Sequence, residues 1–286
     1  MNAHDYAYND LLKMVFLYGE RRTDRTGTGT RSIFGAQHSF NLADGRVPVI
    51  GSKKVIWEKA LLELSWMLRG ETNISGLGKA ANIWKPWADE NGDLGPVYGA
   101  QWRSFGKEAL NEANPDIYDP HIGIDQIQYV VSELRENPDS RRAFISSWNP
   151  LELEEMALPP CPVSYQFSLR GENYDELHLH VYQRSADLFL GVPFDLVNFA
   201  VLAHVIGHAL QVKTSWMQVS YGDVHIYGNH MEQVRKMLQE GAPETNDPRI
   251  SLKKGISYLD GSVPLPAITG YEYSTQVGYV PGAIAV

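Results

Sequence analysis

The chain has 286 residues, 43% of them hydrophobic, which is enough to bury a large core, either as one domain over 1–286 or as two small ones, and no break in composition decides for two. A formal net charge of -9 argues against an extended nucleic-acid surface, which needs a basic excess, so any phosphate partner should be small and locally held. Met1 to Arg22 has no apolar leader stretch, no apolar run approaches a membrane span, and there is one cysteine; together these predict a reducing, cytoplasmic setting with no membrane.

Asn9 to Tyr18 reads as the first helix. Arg21 to Thr30 follows and is too rich in Gly and Thr to be helical. Its Gly-Thr-Gly is only a fragment of a dinucleotide fingerprint, since the full G-x-G-x-x-G is absent and no strand precedes it. Lys54 to Leu68 has apolar residues at helical spacing and would carry Glu63 on or beside its buried face. Ile124 to Asn137 repeats that period and stops at Pro138. Strand-like runs follow at Ala143 to Trp148, Val163 to Leu169 and Leu177 to Tyr182, and then a long apolar helix from Asp195 to Leu210.

The single cysteine, Cys161, stands between prolines in Leu158-Pro159-Pro160-Cys161-Pro162. A lone thiol forms no disulfide within the chain and lacks partners for a thiolate metal site, which leaves a packed small hydrophobe or a nucleophile. Arginine grips a small phosphate with a planar fork. Arg25 in the Gly/Thr loop, the pair Arg141 and Arg142, and Arg184 followed by the hydroxyl of Ser185 are the candidates; each alone reads as a solvated charge. His204 and His208 have the i, i+4 spacing of a helical zinc site, but residue 205 is Val and no third ligand presents itself, so a structural pair is expected. The carboxylates of Ile83 to Gly99 lack the calcium-loop register, and Trp84 and Trp87 suit either the core or a stacking wall for a flat heterocycle.

Asp24 to Thr30, Glu63 with Gly70-Glu71-Thr72-Asn73, Trp84 through Trp102, Pro138 to Arg142, Leu158 to Cys161, Gln183 to Phe194 and Gly222 to His230 resemble the motifs of the thymidylate synthases, in that family's order, from about Leu11 to Val286. The resemblance implies an α+β fold with a large twisted mixed sheet flanked by helices, and a homodimer formed across the sheets. It implies 5,10-methylenetetrahydrofolate as co-substrate, with no metal. Cys161 would add to C6 of a pyrimidine to make C5 nucleophilic, with Glu63, Tyr98 and Asp195 completing the catalytic set. Arg25, Arg184 and Ser185 would hold the 5'-phosphate, with Arg141 and Arg142 reaching it from the second subunit, and this positive charge would favour the thiolate. Gln183, Asp187 and Asp195 would line the nucleotide, and His225 and Tyr227 the sugar 3'-hydroxyl. Lys53, Glu63, Trp84, Trp87, Leu158, Asp187, Gly191, Phe194 and Val286 would form the folate side.

Two positions depart from that pattern. The family carries Asn where this chain has Asp195, and His where it has Pro162. A carboxylate offers no donor to uracil O4, whereas cytosine can donate to it from its amine and from a protonated N3. The expected substrate is therefore dCMP, with a lean toward 5-methyl-dCMP on the strength of Trp84 and the C-terminal Ala283 to Val286. The alternatives are water attack giving 5-hydroxymethyl-dCMP, ordinary dUMP methylation, and a silent nucleotide-binding or RNA-regulatory homologue.

Overall fold

A computed structural model describes residues 3–23, 27–107 and 123–279. Its framework is one six-stranded sheet in the order β1-β2-β6-β5-β4-β3, with β1 Glu20–Arg22, β2 Thr30–Asn41, β3 Phe144–Ser146, β4 Pro162–Arg170, β5 Glu176–Asp187 and β6 Lys213–Tyr227. Four pairings are antiparallel, and the central β5 and β6 are parallel, with Asp187 opposite His225 at their C-terminal ends. The described helices are α1 Ala3–Tyr18, α2 Trp57–Leu68, α3 Tyr98–Ser104, α4 Gln126–Glu136, α5 Gly191–Leu210 and α6 Met231–Glu240. The mixed α+β architecture is thus the expected one.

Parallel neighbours need a long crossover, and here it is α5. Its mean hydropathy and length would suffice to cross a bilayer, yet most of it is buried, because it lies over β5 and β6 with α2 at its side. Leu177, Leu179, Val181, Met217, Val219 and Tyr221 alternate inward from the two strands to form the core beneath it. The helix starts at Gly191, four residues before the expected Asp195, because Pro193 falls in the first turn, where a missing N–H has no partner to lose. α2 begins later than expected. The N–H groups of Lys54 and Val55 are taken by the Gly278 carbonyl and the Tyr271 hydroxyl, which holds that segment outside the helix.

The other sheet face is not covered by any described helix. Phe144, Tyr182 and Trp216 are 43%, 39% and 40% exposed. Between them run cross-strand polar pairs, His180 with Ser220 at 2.9 Å and Gln218 with Gln37 at 3.0 Å.

Candidate active site

The parallel pair and its crossover gather polar side chains at one end of the sheet. Asp187 ends β5, and its Oδ1 accepts from the N–H groups of Phe189 (2.9 Å) and Leu190 (3.3 Å), turning the chain into α5. Arg184 and Ser185 precede it and are half-buried. Gly222 on β6 passes so close that a Cβ there would stand 2.7 Å from the Arg184 carbonyl oxygen, so only glycine fits without displacement.

Arg184 braces the loop that carries the thiol. Its Nε and one terminal nitrogen donate to the carbonyls of Pro160 and Pro159, both at 2.9 Å, and its guanidinium lies 5.3 Å over the Trp148 ring. The backbone ties Cys161 on both sides: its N–H donates to the Tyr98 hydroxyl at 3.2 Å, and its carbonyl accepts from the Arg184 N–H at 2.8 Å. Pro162 then opens β4, opposite Gln183, at an irregular step in the register. Cys161 is half-buried, and burial pushes its thiol up to about 11; Arg184 pulls down, while Asp195 and Asp187 push further up. The positive charge expected to favour the thiolate is therefore present but outweighed within this chain.

Two carboxyls belong to the same cluster, Glu63 buried and Asp195 half-buried. Glu63, on the buried side of α2 as expected, accepts from Trp84 Nε1 at 2.6 Å on Oε1 and from Asn198 Nδ2 at 2.7 Å on Oε2. Burial raises its pKa, opposed by those two hydrogen bonds. Asp195, one helical turn before Asn198, accepts from Gln183 Nε2 at 2.7 Å. Burial raises Asp195 to about 7 against the Gln183 hydrogen bond, and the charges of Glu63 and Asp187 add to the rise. Gln183 and Asn198 share a feature: each donates its amide to a carboxyl, and each has a buried carbonyl oxygen that meets no donor among the described residues. Tyr98, Tyr165 and Tyr221 all feel the Asp195 charge and, being buried, titrate well above the ordinary phenol.

On β6, His225 Nδ1 is 2.9 Å from Asp223 Oδ1, and its ring packs edge-on against Tyr227 with centroids 5.0 Å apart. Ser32 and Arg22 also bind Asp223 Oδ2, at 2.7 Å and 3.2 Å. The hydrogen bond from His225, together with those partners, holds the Asp223 carboxyl below its ordinary range. The apolar wall consists of Trp84, buried between Trp87 and Tyr98 at 5.9 Å and 5.6 Å, with Trp87, Leu158 and Phe194 half-buried and Gly191 opening α5.

One expectation is placed differently. Lys53 is buried rather than facing solvent: its ammonium donates to the Phe189 carbonyl, lies 4.2 Å from that ring's centroid, and is lowered to about 8 by burial. In this arrangement it does not present a free cation to a folate tail. Arg141 and Arg142, expected to serve the site of a second subunit, are exposed before β3, with the Arg141 carbonyl accepting from Gln166 at 3.1 Å. Arg25 and Val286 lie outside the described residues. Asn198, Asp223 and Trp148 carry contacts that the sequence reading missed; Asn198 alone left a signal, as an amide three residues past Asp195 in a helix otherwise apolar around it.

His204 and His208 donate to or accept at no common centre. Their Nε2 atoms meet the carbonyls of Arg46 (2.9 Å) and Ile256 (3.0 Å), and burial lowers His204. Among the described residues no three His, Cys, Asp or Glu side chains converge on one point. Residues 6–280 match the family model described as thymidylate synthase.

Proposed function

The chain belongs to the thymidylate synthase family, and on that premise we propose that it transfers the one-carbon unit of 5,10-methylenetetrahydrofolate to C5 of dCMP. Folate-dependent C5 methyl transfer on a pyrimidine nucleotide is the chemistry of the family; the choice of cytosine is our reading. The observation that carries it is Asp195, an acceptor-only group when ionised, placed beside the thiol with one oxygen already fixed by Gln183 at 2.7 Å. A carboxyl that keeps its proton up to about 7 is also a source for the proton that cytosine N3 needs in order to donate back.

Cys161 adds to C6, and the electron pair that appears at C5 is what attacks the one-carbon unit. The thiol, high at about 11, needs more positive charge than Arg184 supplies. We assign that charge to Arg141 and Arg142 of a second subunit, docked through the bare sheet face that carries Phe144, Tyr182 and Trp216. Arg184 and Ser185 hold the 5'-phosphate with Arg25, and His225, oriented by Asp223, takes the sugar hydroxyl with Tyr227. Trp84, Trp87, Leu158 and Phe194 stack the pterin. A single thiol with no second cysteine to pair with fits a reducing cytoplasm.

Hydride transfer from the tetrahydrofolate that has delivered its one-carbon unit, which leaves as dihydrofolate, reduces the C5 methylene to give 5-methyl-dCMP, the product favoured by the closed aromatic wall around Trp84. Mass spectrometry after offering dCMP, CMP and dUMP separately should find that product from dCMP; dTMP alone would overturn the base assignment, and 5-hydroxymethyl-dCMP the product. Mixing Cys161→Ser with Arg142→Ala subunits should restore about a quarter of the parental sites by random exchange. No recovery after confirmed exchange would overturn the shared site.

A further inference from the structure

We propose that Asn198 is a positioning residue for the chemistry at C5: its amide fixes the Glu63 carboxylate, and its carbonyl oxygen seats the water through which the C5 proton leaves. The proposal rests on the pyrimidine-nucleotide reading above but not on the choice of base.

Asn198 lies on the first turns of α5, 6% exposed, three residues after Asp195. Its Nδ2 and Trp84 Nε1 each take one oxygen of Glu63, at 2.7 Å and 2.6 Å, from two different parts of the chain. Two directed donors on two oxygens fix the carboxylate plane, which one alone would leave free to rotate. The other end of the same amide, Oδ1, is buried and meets no donor among the described residues. Buried carbonyls are paired with protein or with ordered water, and an acceptor beside a carboxylate suits a water that donates to both. Such a water keeps its own lone pairs for a proton coming from the substrate.

The step balances without further reagents. The C5–H bond breaks, its electron pair stays with the ring carbon, the proton goes to the water oxygen, and one of the water's protons passes to Glu63. Burial raises Glu63 and so favours its taking up a proton, and its two donors oppose that rise. Asp195 on α5 and Tyr165 on β4 are the titratable groups whose fields reach Glu63.

The test is release of tritium from dCMP labelled at C5, with methylenetetrahydrofolate, as a function of pH and per nucleotide-binding site so that unfolded protein does not count. Asn198→Ala should slow release by about tenfold or more with dCMP affinity within about threefold. Asn198→Asp, the same size but unable to donate, should move the acid limb of the profile up by about one unit, because two carboxyls would share a proton. Parental rates and an unmoved profile in both variants would overturn the proposal. If the parent labels only dUMP, the base assignment fails and the same two variants are read with dUMP; release from neither nucleotide would overturn both.

Discussion

The two ends of α5 carry the same pattern and use it in opposite ways. At the N-terminal end Asp195 and Asn198 stand one turn apart and pair with the side chains of Gln183 and Glu63. At the C-terminal end His204 and His208 stand one turn apart and end on the backbone carbonyls of Arg46 and Ile256. The second arrangement satisfies groups that loops would otherwise bury unpaired, and it ties those loops to the core. The first leaves two amide oxygens without a donor among the described residues and puts two carboxyls within each other's field, a costly choice for stability alone. A buried polar pair is therefore read by its partners: the two histidines close on backbone, whereas the pairs of Asp195 and Asn198 leave an acceptor open beside a carboxyl.

The largest effect that could break this contrast lies at the thiol facing the N-terminal end. Cys161→Ser should keep dCMP binding and lose turnover by on the order of 10³-fold or more, because an alcohol is a far weaker nucleophile than a thiolate. Steady-state kinetics within a few-fold of the parent would remove the covalent step.

Stability sharpens the contrast from the other side. The Asp195 carboxyl titrates at about 7 in the folded chain against an ordinary 3.8, so the folded state loses stability as pH rises from 3.8 through 7 and carries the full cost above that. Asp195→Asn has no charge to bury, and its amide can donate to the open Gln183 oxygen. Urea unfolding should find the variant more stable than the parent by on the order of 3 kcal/mol at about pH 8 and little changed below about pH 4. An equal effect at both pH values would mean that the charge at Asp195 is not what is costly. The smallest effect belongs to the far end of the helix. His204→Leu should lower stability by about 1–3 kcal/mol, leaving the Arg46 carbonyl unpaired, while kcat and KM stay within about twofold. Since burial holds His204 below 6.5, its share of stability is present at neutral pH and is lost as pH falls below that value, so the parent's own acid sensitivity should flatten in the variant.

How much of this was legible in the sequence follows the range of the interactions. α2, α4 and α5 announce themselves by a local period, and their errors are confined to the ends, where Pro193 and the contacts of Lys54 and Val55 set the boundary. β2 and β6, two of the longest strands, are not predicted, because β2 is outward-facing around Phe34 and Gly35 and acquires its order from β6, well over half the chain away. The site residues were named by resemblance to motifs, and the structure supplies what motifs omit: that Glu63 is held from both sides, that Gln183 serves Asp195, and that Lys53 is turned inward onto Phe189.

The central claim is that the carboxyl at 195 chooses the base. The most direct measurement is the ratio of kcat/KM for dCMP to that for dUMP, in the parent and in Asp195→Asn. A parent that prefers dCMP, with the ratio falling by about tenfold or more in the variant as the amide donor becomes available to uracil O4, is the predicted result. A parent that already prefers dUMP, or a ratio untouched by the substitution, would contradict it.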